Sequence, residues 1–252
     1  MKQQVFDGKM EAGKIEDNLR LSGVLKGKKL VIIQCDGHDT ESTYVRLKRE
    51  MGEKLGAEVK IQITNIKLHV DGLVRDANEN RDVDGILVQL PIKGADRGET
   101  EQILSTINPG KDIDGLNPKS EFVPAVVMAV ETVLKKINLG RELPVAVVGS
   151  EGQVGKRLYG RLLELGYVVS GFEKGDDLMR LTDFGVVISS TGVEGVIRPE
   201  MVQEGFVGID LGYPQAEISP EAAKKAGVIT PVPGGVGPLT IVSLFENLAQ
   251  TK

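Results

Sequence analysis

The sequence predicts an α/β protein of two domains with mainly parallel sheets, and three observations carry that prediction. Short apolar runs rich in β-branched residues alternate with stretches of helix-forming composition, which is the pattern of βαβ units. The run "PVAVVG" (144–149) passes through a glycine-punctuated turn into a second helix-forming stretch. A further helix-forming segment, "AVVMAVETVLKKIN" (125–138), falls between two halves that each show the alternation.

Taken in order, "KKLVIIQCD" (28–36) reads as a strand, and "ESTYVRLKREMGEKLG" (41–56) as a helix stopped by Gly56. "AEVKIQITNI" (57–66) follows, then a mixed helical stretch around "VDGLVRDANENRD" (70–82), then the strand "VDGILVQLP" (83–91) closed by Pro91. Parallel sheets bind ligands beyond the carboxyl ends of their strands, so Gln89 and the turn after "VIIQ" point toward one edge. In the second half a strand ends at Gly149, and a helix runs from Val154 to Leu165. Four further strand candidates follow: "YVVSGFE", "FGVVISSTG", "FVGIDLG" and "GVITPVPGG". This is the layout of a Rossmann-like dinucleotide-binding domain. The boundaries expected are 1–120 for an N-terminal α/β domain and 121–238 for the dinucleotide domain. A final helix, 239–252, returns the chain to the first domain. With no repeat or flexible linker, the domains are expected to be closely joined, with a cleft between them.

Composition bounds the function. The chain has 252 residues, 40% hydrophobic and 27% charged, enough to bury a core without a disulfide or structural metal. The lone Cys35 sits in the apolar run "LVIIQC" and reads as a buried thiol in a reducing compartment. No window is long and apolar enough to span a membrane, and the stretch "MKQQVFDGKMEAGK" has no apolar h-region, so a cytoplasmic location is expected. A net charge of −5, no Trp and 4% aromatics argue against nucleic acid as a partner. His38 and His69 match no ligand spacing, so no metal is predicted.

Gly149, Gly152 and Gly155 give a G-x-x-G-x-x-G spacing between strand and helix. There, backbone N–H groups and a helix N-terminus can meet a pyrophosphate. Glu173, 24 residues after Gly149, stands where a carboxylate takes the adenosine ribose hydroxyls. A carboxylate there repels a 2′-phosphate and favours NAD over NADP. Tyr44 and Lys48 are four apart on a predicted helix and share a face. The turn "PVPGGVGPLT" (231–240) holds three prolines and three glycines, stiff yet open to close backbone approach.

Five strings, "TYVRLK", "VDGILVQLPI", "KDIDGLNP", "VVGSEGQVGK" and "TPVPGGVGPLTI", stand in the order of the bifunctional methylenetetrahydrofolate dehydrogenase/methenyltetrahydrofolate cyclohydrolase family. The chain resembles that family throughout, from "FDGKMEAGKI" to "LFENL". The resemblance implies a homodimeric two-domain enzyme of one-carbon metabolism using NAD or NADP. It would oxidise 5,10-methylenetetrahydrofolate to the methenyl form and hydrolyse that to 10-formyltetrahydrofolate. It implies Tyr44, Lys48, Gln89 and Asp114 as catalytic residues, with Lys48 moving the proton, Gln89 holding Lys48, and Asp114 on the pterin edge. Substrate contacts would come from Tyr44, Gln89, Leu90, Pro91, Asp114, Pro233, Gly234, Gly235 and Pro238. The cofactor would be held by Gly149, Ser150, Glu151, Gly152, Val154, Gly155, Glu173, Thr191 and Gly192. On this reading the 231–240 turn is a wall of the folate cleft.

The departures matter as well. The family typically has Gly-Arg-Ser where this chain has Gly149-Ser150-Glu151, and an H-S-x-T stretch where this chain has "GFEKGDD". Both changes point away from NADP, although Lys156 and Arg157 stay close in sequence. The segment "GLNPKSEFVPAVV" lacks the family's Thr-Pro-x-Gly, and "DGHDTEST" lacks its Pro-Ala. Two alternatives stay open at this point: a cyclohydrolase without dehydrogenase activity, and a noncatalytic nucleotide- or folate-binding module.

Overall fold

A computed structural model describes residues 3–252 of the chain. The chain divides into two compact units. One comprises Gly13–Ala125 with Ile241–Lys252, and the other comprises Val126–Thr240 with residues 3–12. The N-terminal segment therefore packs with the second unit, where the sequence pattern places it in the first. The reason is a two-residue strand, β1 (Gln4–Val5), which pairs with β9 (Val228–Ile229) through Gln4↔Val228 and Val5↔Ile229. Two residues give no periodicity to read.

In the first unit, β2 (Lys29–Gln34), β3 (Glu58–Ile63) and β4 (Gly85–Gln89) form a parallel sheet in the order β3-β2-β4. The central strand "KLVIIQ" is buried on both faces, so it reads as an apolar run rather than an alternation. Its carboxyl end aligns with that of β4 through Gln34↔Gln89. On one face, Val31, Ile33, Ile86 and Val88 pack with α3 (Lys67–Glu79) and α4 (Arg97–Ser105). On the other, Leu30, Ile32 and Leu87 pack with α2 (Thr43–Lys54) and the end of the C-terminal helix, through Val45, Leu244 and Phe245. Gly52 permits that approach, since a Cβ there would lie 2.6 Å from Val59 and 2.9 Å from Phe245.

In the other unit, the parallel sheet runs β1-β9-β8-β7-β5-β6. Its remaining strands are β5 (Val145–Val148), β6 (Val169–Phe172), β7 (Val186–Ser189) and β8 (Val207–Asp210). α5 (Ala125–Lys136) and α6 (Gly155–Glu164) match the helices expected at 125–138 and 154–165. A short α7 (Pro220–Ala223) precedes β9.

Helix α1 (Gly8–Ser22) has no counterpart in the sequence reading, because few of its positions are buried. The Asp7 carboxylate accepts from the Met10 N–H at 2.9 Å and caps it. Helix α8 (Val236–Leu248) begins three residues before the expected Leu239. Pro238 is no obstacle, because the first turn of a helix needs no N–H from it.

Gly8 is where the N-terminal segment meets the 231–238 turn. A Cβ at Gly8 would stand 1.8 Å from the Gly235 carbonyl oxygen, and a Cβ at Gly235 would stand 2.7 Å from Thr230 and from Pro231 O. The obstacles at Gly8 are backbone and cannot rotate away. Gly8→Ala is therefore expected to cost about 2 kcal/mol, from overpacking near the upper end of its usual range less a small helix-propensity gain. Thermal unfolding checks this, with a midpoint lowered by roughly 4–8 °C.

Candidate functional site

The first cluster lies at the carboxyl ends of β2 and β4. Gln34 is fully buried and shapes the loop into α2: its Nε2 donates to Asp36 Oδ1 (3.1 Å) and Thr40 O (3.0 Å), and its Oε1 accepts from Ser42 N (2.9 Å). Ser42 then caps α2, its Oγ accepting from Val45 N. The buried face of α2 carries Val45, Lys48 and Gly52, a helical spacing that places a lysine where an apolar residue is expected.

Lys48 is 3% exposed. Its Nζ donates to Gln89 Oε1 at 2.9 Å and lies 4.7 Å from the centre of the Tyr44 ring. Burial pushes the Lys48 amine below the ordinary lysine value, and the nearby Asp114 carboxylate opposes this less strongly. Gln89 is fixed in turn, since its Nε2 donates to Leu90 O at 2.6 Å, leaving its carbonyl toward Lys48. The structure thus gathers Tyr44, Lys48, Gln89 and Asp114 around one buried amine, with Leu90 and Pro91 continuing from Gln89.

The loop that carries Asp114 is built from residues the sequence reading did not single out. Asp112 accepts from Asn117 N at 2.8 Å, and Asn117 Nδ2 donates to Ile107 O at 2.7 Å. Gly115, at φ +70°, brings the chain so close to Pro124 that a Cβ would lie 2.7 Å from its backbone. Asp112 and Asn117 both stand inside the string "KDIDGLNP", so the signal was present, but their partners are visible only in the fold.

The second cluster belongs to the six-stranded unit, at the carboxyl ends of β5, β6 and β7. Gly149 has φ +82°, and a Cβ there would meet Ser190 O at 2.4 Å. A Cβ at Gly155 would stand 2.0 Å from Gly149 O, and one at Gly152 would stand 3.2 Å from it. The three glycines therefore fold the turn on itself and bring it, through Val154, to the N-terminus of α6. Such a turn presents N–H groups to a pyrophosphate, so the residues present fit a dinucleotide.

Glu173 follows β6 directly. Its Oε1 accepts from Ser150 Oγ at 3.0 Å and from the Glu151 N–H, and its own N–H is held by Asp176 at 2.7 Å. Arg157 donates to Gln153 O at 2.8 Å. Thr191 and Gly192 follow β7, and both are held by Glu217.

Pro233, Gly234, Gly235 and Pro238 lie between β9 and the first turn of α8, in this same unit. Gly234 has φ +111°, and Gly235 packs on its own turn and on Gly8. The glycine at 235 therefore has a packing reason beside any approach of a ligand. Among the described residues, no group of three His, Cys, Asp or Glu side chains could hold a metal, and no helix is long and apolar enough to cross a membrane.

Comparison with known proteins agrees with the two-domain α/β fold. Residues 6–114 match the family model for the tetrahydrofolate dehydrogenase/cyclohydrolase catalytic domain, and residues 124–252 match the model for its NAD(P)-binding domain. A bifunctional protein FolD of Thermus thermophilus is 32% identical, over 99% of this chain and 96% of that one. The crystal structure of the bifunctional methylenetetrahydrofolate dehydrogenase/cyclohydrolase from Campylobacter jejuni superposes with a TM-score of 0.86 at 28% identity, covering 99% of this chain and 98% of that one. A Trypanosoma brucei methylenetetrahydrofolate dehydrogenase-cyclohydrolase, complexed with NADP cofactor and inhibitor, gives 0.86 at 27% identity, over 98% and 97% of the two chains. The chain is an enzyme of the bifunctional tetrahydrofolate dehydrogenase/cyclohydrolase family, with a catalytic and an NAD(P)-binding domain.

Proposed function

We propose that the Lys48 cluster carries the cyclohydrolase step and that the Gly149–Gly155 turn holds the dinucleotide for the dehydrogenase step, with NAD preferred to NADP. The observation that carries the first part is the buried Lys48 amine, hydrogen-bonded to the neutral carbonyl of Gln89.

The chemistry a bound dinucleotide supplies is acceptance of a hydride from the methylene carbon of the folate. This step leaves a resonance-stabilised methenyl cation, so the chain's part is alignment. Asp114 can accept from the two adjacent donors of an aminopyrimidine edge. Hydrolysis then needs a proton taken from the attacking water and returned to the departing ring nitrogen. Burial makes neutral Lys48 accessible at lower pH than for a lysine in water, and an approaching substrate cation extends the effect. Gln89 orients Nζ without fixing it as ammonium, and the face of Tyr44 limits where Nζ can lie.

The preference for NAD is supported by Glu173 at the end of β6, by a turn with Ser150 and Glu151 but no cation, and by Arg157 being turned back to Gln153. Glu173→Gln keeps an acceptor for Ser150 and Glu151 while removing the charge. We expect it to raise the ratio of kcat/KM for NADP over NAD about tenfold, equivalent to about 1.4 kcal/mol. A wild-type enzyme that favours NADP would refute the assignment of Glu173.

The test of the whole reading is an absorbance assay of methenyl formation with each dinucleotide, followed by methenyl decay. Formation without enzyme-dependent decay would remove the cyclohydrolase role, and decay without formation would remove the dehydrogenase. The net negative charge and single cysteine support a cytoplasmic enzyme without a nucleic-acid partner. We further propose the homodimer of the family, which light scattering checks.

A further inference from the structure

Glu217 has no part in the roles assigned above, and it is 2% exposed. Its carboxylate takes four hydrogen bonds. Oε2 accepts from Ser189 Oγ (2.5 Å), Thr191 N (2.7 Å) and Thr191 Oγ1 (2.8 Å), and Oε1 accepts from Gly192 N (2.8 Å). All four donors belong to the end of β7 and the loop that follows it. A buried carboxylate survives only where such donors replace its water, so the loop and the charge are tied together.

The segment that delivers Glu217 is itself anchored. Asp210, the last residue of β8, accepts from Gly212 N at 2.8 Å and from Ile218 N at 2.7 Å. Ile197 N donates to the Glu217 carbonyl at 3.0 Å. The loop that Glu217 holds also forms one wall of the glycine turn. Ser190 N donates to Val148 O at 2.9 Å, and Ser190 O occupies the space that a Gly149 side chain would need.

We propose that Glu217 is a positioning residue for dinucleotide binding: by gathering Ser189, Thr191 and Gly192 onto one carboxylate, it sets residues 190–192 against the Gly149 turn. This rests on the reading that the turn holds the dinucleotide. Glu217→Gln is the informative change, because it keeps size and shape. Its amide can accept at one oxygen only, and its NH2 must face N–H donors, so the loop has to move. Glu217→Asp retains an acceptor at every lone pair, although with a shorter reach.

The experiment measures NAD and NADP binding by titration calorimetry, together with KM and kcat for dehydrogenation and kcat/KM for methenyl hydrolysis. The expected result for Glu217→Gln is at least a tenfold rise in dinucleotide Kd and KM. Dehydrogenase kcat at saturating dinucleotide should stay within about threefold of wild type, and hydrolysis within twofold. Glu217→Asp should recover at least half of the lost affinity on a logarithmic scale. Unchanged dinucleotide Kd in folded Glu217→Gln overturns the proposal. So does a parallel fall of both activities with no recovery in Glu217→Asp, which is the mark of a purely structural residue. Wild-type protein that binds neither dinucleotide would instead overturn the reading of the turn itself. If Glu217→Gln does not fold, Thr191→Val, which removes one of the four donors, should still raise Kd severalfold, and no change there also overturns the proposal.

Discussion

Lys48→Met is expected to lower cyclohydrolase turnover by about 10³-fold, within the range that a positioned acid–base group contributes, while the protein stays folded. Methionine fills the buried slot on α2 beside Val45 and Gly52 without the cost of a buried amine. Stability at neutral pH should therefore be unchanged or higher. The pH dependence of folding gives a second check. The amine is held below the ordinary 10.5 by burial, so between its folded value and 10.5 the unfolded chain binds a proton that the native chain does not. Wild-type stability then rises with pH through that window, and the Lys48→Met variant loses that part of the rise. Cyclohydrolase activity should likewise climb with pH as Lys48 becomes neutral. Turnover of Lys48→Met near the wild-type rate would remove the role assigned to the amine.

Gly155→Ala is expected to remove dinucleotide binding and reduce dehydrogenation at least 10²-fold, with cyclohydrolase turnover kept within about twofold. The added Cβ would stand 2.0 Å from Gly149 O, so the turn must open and disturb the N-terminus of α6 that follows it. The cost falls within the six-stranded unit, whereas Lys48, Gln89 and Asp114 are held by the other. Separate assays of methenyl formation and methenyl decay read the two effects independently.

Much of the architecture was legible because buried parallel strands announce themselves. β2, β4, β5 and β7 are apolar runs between glycine, proline or polar turns, and a period is hardly needed to find them. β1 was illegible for the opposite reason, since it is two exposed residues stabilised by pairing with β9. α1 hid because its buried positions are few and include Gly8 and Glu11.

At the site, the residue types could be read directly, and spacing revealed the shared face of Tyr44 and Lys48. The bond from Lys48 to Gln89 spans 41 residues and depends on the packing of α2 over β4. Burial of Lys48 had only an indirect sign, a lysine on the face that otherwise carries Val45 and Gly52. Glu217 had no sign at all, because its donors lie 25 to 28 residues back, at the end of another strand. The glycines of the 231–238 turn show how a correct motif can have a second cause. Gly235 is required by its own turn, where a Cβ would meet Thr230 and Pro231, whatever else the turn does.

The most direct measurement follows methenyl absorbance in one cuvette for wild type, Lys48→Met and Gly155→Ala, supplied with methylenetetrahydrofolate and dinucleotide. Wild type is expected to show transient methenyl, Lys48→Met accumulation without enzyme-dependent decay, and Gly155→Ala no methenyl, although it still hydrolyses methenyl added directly. Equal decay in wild type and folded Lys48→Met, or normal methenyl formation by folded Gly155→Ala, would contradict the roles given to the Lys48 amine and the glycine turn.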